Sequence, residues 1–172
     1  MVGGQMVRGQ LLPAFINNGG YHLTNIAVYA DGMIYCWEMV DIEGFIKKLN
    51  SRWVVTSLPE DAEVSVSGVT AFTAKNILFR VPESEFLKEV IDVIEELNDR
   101  PTSAMKFIRA KQLYWSEPTE ENSRLMLEAF ENVPHHKKKH ALTERDKKYL
   151  KEQGVKTHST VWELDESGSA NS

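Results

Sequence analysis

The stretch His135-His-Lys-Lys-Lys-His140 holds the densest set of side chains that could do chemistry. His136 and His140 stand four apart, the spacing at which two imidazoles on a helix share a metal ion. A metal site also needs neutral imidazoles and a third ligand, and Lys137, Lys138 and Lys139 repel a dication placed between the histidines. No His-Glu-x-x-His pattern and no cysteine pair assists, so a solvated basic linker without metal is expected. The lysines suit a different chemistry. Together with Lys147, Lys148 and Lys151 they match phosphate contacts, whose affinity falls with salt. Reading a base sequence would need a recognition helix or stacking aromatics, and Tyr149 is the one aromatic near them. His135, His136, Lys137, Lys138, Lys139, His140, Lys147, Lys148 and Lys151 are therefore candidates for binding an anion or an acidic partner, the chain's own acidic part included.

Carboxylates gather at Asp31, Glu38, Asp41 and Glu43. Asp31 is explained by a turn and Asp41 by a helix cap, whereas Glu38 interrupts an apolar strand. Tyr35, Trp37, Glu38 and Asp41 are the candidates for lining a pocket, with Glu38 the first residue to examine for acid–base work. Cys36 has Tyr35 and Trp37 as strand neighbours, and His22 lies near the far end of the same hairpin. Without a base or a positive neighbourhood to form the thiolate, a buried inert thiol is expected. Pro59-Glu-Asp-Ala-Glu has the look of a nuclease motif but lacks the lysine that should follow, and reads as a turn. Gly3-Gly4 and Gly19-Gly20 do not have phosphate-loop spacing, and no Gly-x-Ser-x-Gly elbow is present. No cofactor is implied.

The elements that must position these residues begin with a hairpin. Residues 22–30 and 33–40 are rich in β-branched and aromatic types, and Asp31-Gly32 between them suits a two-residue type I′ turn. That turn pairs Ala30 with Met33, Val28 with Tyr35, Ala27 with Cys36 and Ile26 with Trp37. One face then carries Ile26, Val28, Tyr35, Trp37 and Met39, and the other Ala27, Tyr29, Ile34, Cys36 and Val40. Neither is polar, which predicts a hairpin covered on both sides or central in its sheet.

A short helix over 41–50 follows, capped by Asp41 and striped with Phe45, Ile46 and Leu49. Strands are expected at 53–56, 63–67, 69–73 and 76–81, with a break at Gly68. Phe86, Leu87, Val90, Ile91, Ile94 and Leu97 then give helical spacing over 83–98. Residues 102–115 and 118–132 read as an αα-hairpin packed on the sheet. Thr143 caps a charged helix over 144–153, closed by Gly154. The fold class is α+β: an antiparallel β-sheet, hairpin plus meander, followed by a helical layer that includes the αα-hairpin.

A chain of 172 residues, 42% hydrophobic, suits one domain with one core. The expected division is an α+β domain over 1–133 (strands mainly 21–81, helices mainly 83–133), a basic arm with a short helix over 134–158, and a disordered tail over 159–172. The arm carries eight Lys or Arg against three acids, a formal +5, and the remainder carries -10. A single cysteine and the lack of a signal-like or membrane-length apolar run point to the cytoplasm, away from membranes.

Val28-Tyr-Ala-Asp-Gly-Met-Ile-Tyr-Cys-Trp-Glu-Met-Val-Asp41, with Arg100-Pro-Thr-Ser and Glu117-Pro-Thr-Glu-Glu-Asn, resembles a group of small bacterial proteins described as a domain of unknown function. The resemblance covers about residues 27–134. It implies a bacterial or phage setting and one compact domain, and it brings no catalytic residues. The expectation for function is a non-enzymatic protein-interaction module of an accessory, inhibitor or immunity type, meeting a protein partner or a second copy of itself. Nucleic-acid binding through the basic arm, and a small enzyme with a pocket near the 28–41 hairpin, are the alternatives.

Overall fold

The strands begin earlier than the residue pattern suggested. β1 (Gly9–Asn17) and β2 (Tyr21–Tyr29) form a nine-residue antiparallel hairpin. Its inward face sets Leu12 against Ile26, Ala14 against Thr24 and Ile16 against His22. Asn18-Gly19-Gly20 makes the connection, with Gly19 at φ +70. Gly9 sits opposite Tyr29, and a Cβ there would stand 2.9 Å from the Tyr29 ring, so the bare glycine lets the ring lie across the strand.

β3 (Ile34–Tyr35) pairs with β2 one residue out of the expected register. Ala27 faces Tyr35 and Val28 faces Ile34. The loop is Ala30-Asp31-Gly32, three residues long, with Gly32 at φ +83 and Asp31 Oδ1 accepting from Met33 N. A turn with one extra residue and a left-handed glycine replaces the two-residue type I′ form. Because side chains alternate, the shift moves every β3 side chain to the opposite face. Ile34 and Cys36 therefore join Ile26 and Val28 in the core, and Tyr35 points outward. The expected grouping of Tyr35, Trp37 and Met39 with Ile26 and Val28 is corrected accordingly. The long second strand is also broken: the chain reverses at Trp37, φ +69, and β4 (Met39–Val40) returns against β3.

α1 (Ile42–Asn50) is capped by Asp41, whose side chain accepts from Gly44 N at 2.8 Å. β5 (Val54–Val55) pairs with β1. β6 (Ala62–Val66) runs parallel to β2 along Tyr21–Leu23, and β7 (Thr70–Ala74) pairs antiparallel with β6. The seven-stranded sheet is thus antiparallel apart from one β2–β6 contact. α2 (Glu83–Leu97) is followed by α3 (Ser103–Ser116), α4 (Glu120–Glu131), α5 (His135–Ala141) and α6 (Glu144–Glu152). The computed structural model describes residues 6–67, 69–75 and 81–155. The break at Gly68, most of the strand expected over 76–81, Gly3-Gly4 and the tail 159–172 lie outside them.

Three apolar clusters hold these elements. Ile16, Ile26, Val28, Ile34 and Cys36 of the sheet meet Phe45 and Leu49 of α1 and Phe86, Val90 and Val93 of α2. Val55, Leu58, Ala62, Val64 and Ala74 form a second cluster where β5, β6 and β7 curl round. The third has no sheet residue: Phe107, Met126, Phe130, Val133 and Leu150 join α3 and α4 to α6. The αα-hairpin therefore packs on the chain's C-terminal helices, and α1 and α2 are the helices that lie on the sheet. Although α6 is mostly charged, its Leu150 is fully buried among Phe107, Met126 and Phe130 and ties the pair to it. The segment expected to be a solvated linker is helix α5.

Candidate functional site

Two places bring the singled-out residues together. The first is the β3–β4 turn. Cys36 N donates to Glu38 O at 3.0 Å across Trp37, and Trp53 Nε1 donates to Cys36 O at 3.3 Å. The Trp37 ring lies 5.2 Å from His22 and 6.5 Å, edge-on, from Trp53. Lys48 Nζ stands 4.7 Å over the Trp53 ring and 2.5 Å from Glu38 Oε2. β3 takes Ala27–Val28 of β2 and β6 takes Tyr21–Leu23, so Trp37 turns beside a junction between two partner strands. A tryptophan at positive φ is sterically costly, and these contacts hold it there.

Tyr35, Trp37, Glu38 and Asp41 do not converge on one cavity. Asp41 is spent on the α1 cap, Glu38 on Lys48, and Tyr35 faces outward. The arrangement offers a surface instead. Direct cross-strand pairing sets Leu11, Ala27, Tyr35 and Met39 in one row across β1, β2, β3 and β4. Leu11 is 62%, Tyr35 43% and Met39 50% exposed, with the small Ala27 as a notch between them. Of the two expectations for the hairpin, the central position holds, since it lies between β1 and β4 in its sheet. It is not covered on both faces: the helices cover the inner face and leave this row bare. Cys36 is buried on the inner side, where burial pushes its thiol up against the smaller pull of Lys48.

The second place is α5 and α6. α2 presents Glu85, Glu89 and Asp92, and α5 lies against them. Glu85 Oε2 accepts from His135 N at 2.6 Å. Lys137 Nζ reaches Glu89 at 3.1 Å and Asp92 at 3.3 Å, and His136 Nε2 stands 3.4 Å from Glu89. Asp92 also accepts from the backbone and hydroxyl of Ser103, at 2.7 and 2.8 Å. Glu89 Oε2 is buried and has no hydrogen-bond donor among the described residues. Burial alone would lower Lys137, but Glu89 and Asp92 outweigh it and raise the ammonium above its ordinary range. Burial pulls His135 and Lys138 down, and Lys138 Nζ sits 4.5 Å over the Phe130 ring. Burial would raise Glu85, yet Lys88 and His135 N bring it below the usual carboxylate range.

The remaining candidates face solvent. Lys147 pairs with Glu144 at 2.6 Å. Lys139, His140, Lys148 and Lys151 are exposed and make no ion pair with another described residue. His136 and His140 share a helix as their spacing allows, but among the described residues no three His, Cys, Asp or Glu gather to hold a metal. A cleft of about 240 Å³ between α2, α3 and α4 is lined by Ile91 and Ala129 together with the polar Lys88, Asp92, Ser103, Lys106 and Asn132. Lys88 is already committed there to Glu85 and Glu131 O. The residue pattern missed the α2 carboxylates, although Glu85, Glu89 and Asp92 at i, i+4 and i+7 mark one helix face. It gave no sign of the strained Trp37 backbone.

No helix among the described residues is long and apolar enough to cross a membrane. The family described as Domain of unknown function (DUF7638) matches residues 1–101, which take in the sheet, α1 and α2 and stop short of α3. No curated protein and no solved structure matches the chain.

Proposed function

We propose, for a chain that belongs to the family described as Domain of unknown function (DUF7638), that it is a non-enzymatic protein-interaction module of a bacterial or phage cytoplasm, of an accessory, inhibitor or immunity type. The observation that carries the reading is the bare row of Leu11, Tyr35 and Met39 on the outer sheet face. Half-exposed Trp37 stands at the adjoining turn. Tyrosine and tryptophan are enriched among the few residues that dominate binding energy at protein interfaces, and holding them rigid beforehand lowers the cost of ordering them. The β3–β4 turn holds Trp37 in that way, through Cys36, His22 and Trp53.

The test is capture from a lysate of the native host, with the unaltered chain and a Tyr35→Asp/Met39→Asp variant as baits. The captured protein is then identified and titrated, and size-exclusion chromatography follows self-association. An anchor residue contributes about 2 kcal/mol or more, so the variant should bind at least roughly thirty-fold more weakly at an unchanged melting temperature. Equal affinity for both baits, or neither a partner nor an oligomer with the unaltered chain, would remove the reading.

A further inference from the structure

We infer that α5 is a phosphate-polyanion-binding segment held shut in cis by the acidic face of α2. Among the helices, α5 is the one with no buried residue. It is seven residues long, its N-cap Pro134 offers no side-chain bond, and Leu142 beyond it is extended. A helix that short does not persist in water by itself, so its form depends on what it lies against. Ala141 at its end packs on the helical core, and the rest of that support is electrostatic. Glu85 takes the His135 amide, and Glu89 and Asp92 take Lys137. At the far end Lys111 Nζ donates to Ala141 O at 2.8 Å.

Both flanks are fixed independently of α5. Val133 before it is fully buried in the helical core. After it, α6 is anchored by Leu150 and by Asp146, which takes Lys111 and Trp115. The segment between these anchors can therefore leave α2 while the helical core stays intact. The docked state is also imperfect: Glu89 Oε2 is buried with His136 Nε2 3.4 Å away and no donor in hydrogen-bond geometry, which costs free energy that release would return.

Release would give Lys137 and Lys138 to a ligand, next to Lys139 and His140, which already face solvent. Closely spaced cations on a short flexible segment fit a chain of phosphates, because they need no fixed stereochemistry to neutralise one. α2 and the polyanion would compete for the Lys137 ammonium, while Lys138 would leave the Phe130 ring. The surface involved is separate from the sheet row, and the inference does not depend on that reading.

The experiment titrates a fluorescent single-stranded 20-mer oligonucleotide against the full chain at several salt concentrations, with inorganic polyphosphate as competitor. The unaltered protein should bind weakly. Glu85→Gln/Glu89→Gln should bind at least roughly five-fold more tightly, as expected for a coupled equilibrium released by the change. Its salt slope should steepen by about 1.4, two further phosphate contacts on a single strand. Adding Lys137→Ala and Lys138→Ala should erase the gain, and Glu43→Gln, at an exposed position of α1, should give none. Polyphosphate should displace the oligonucleotide. Hydrogen exchange on the unaltered chain covers a variant that does not fold: polyphosphate should speed exchange across residues 137–141 and leave α4 and α6 protected. A gain that survives loss of the two lysines, a gain equalled by Glu43→Gln, failure of polyphosphate to compete, or unchanged exchange in α5 would each overturn the inference.

Discussion

Lys111 Nζ donates to Asp146 Oδ2 at 2.9 Å across thirty-five residues, and both groups are largely withdrawn from water. The same carboxylate accepts from Trp115 Nε1 at 2.9 Å and from the Thr143 backbone and hydroxyl, each at 2.7 Å. A buried charge costs much unless it is paired and hydrogen-bonded, and here every requirement is met by α3 and the α6 cap. This carboxylate, more than the charged surface of α6, fastens the C-terminal helix to the body of the protein.

Asp146→Asn should therefore destabilise the fold by about 3 kcal/mol or more, because Lys111 is left buried without its partner. Burial would raise Asp146, but its four donors outweigh burial and hold it below its ordinary value of 3.8. A depressed carboxyl stabilises the fold above its ordinary value, and the contribution is lost as pH falls through the depressed one. Denaturant titrations between pH 7 and pH 2 should show the variant with less acid-induced loss than the parent below pH 3.8. Equal slopes would count against this role for Asp146.

Leu150→Ala should cost about 2–5 kcal/mol, since it opens a cavity beside Phe107, Met126 and Phe130. A cost below about 0.5 kcal/mol by thermal melting would mean that α6 is peripheral.

Trp37 offers an inverted ranking. Glycine is ordinarily the poorer substitute for a side chain, but at φ +69 it relieves a left-handed strain of about 1–2 kcal/mol that alanine retains. Both variants lose the contacts with His22 and Trp53, so Trp37→Gly should melt above Trp37→Ala. The reverse order would show that the turn relaxes when the ring is removed.

Cys36 should resist alkylation. Its thiol is buried and raised, so iodoacetamide at pH 8 should modify it only as fast as the protein opens. Labelling in the folded state at the rate of a free thiol would place Cys36 at the surface.

Much of the architecture is local and was legible in the residues. Asp41 and Thr143 cap their helices through side-chain oxygens as their types and positions suggested; Thr102 and Thr119, read as helix residues, are caps as well. The stripe of Phe86, Leu87, Val90, Ile91, Ile94 and Leu97 located α2, and Phe86 and Val90 of it are buried, whereas Ile91 is exposed and the buried Val93 was passed over. Caps and helical stripes are readable because the physics that makes them acts over three or four residues. The α+β class follows from the same patterns.

What the residues could not determine was decided over longer distances. Whether Asp31-Gly32 closes a loop of two or three residues depends on which faces the helices will cover, and that choice put Tyr35 outside and Cys36 inside. β1 carries a proline and a polar start, and became a long strand by pairing along β2. The basic segment read as solvated because its charges were weighed alone. Folding set it against Glu85, Glu89 and Asp92, residues more than forty positions earlier in the chain. Sequence determined which residues carry charge and which helices can form; only the tertiary structure decided which charges neutralise one another, because that depends on Coulomb energy between groups brought together by packing elsewhere.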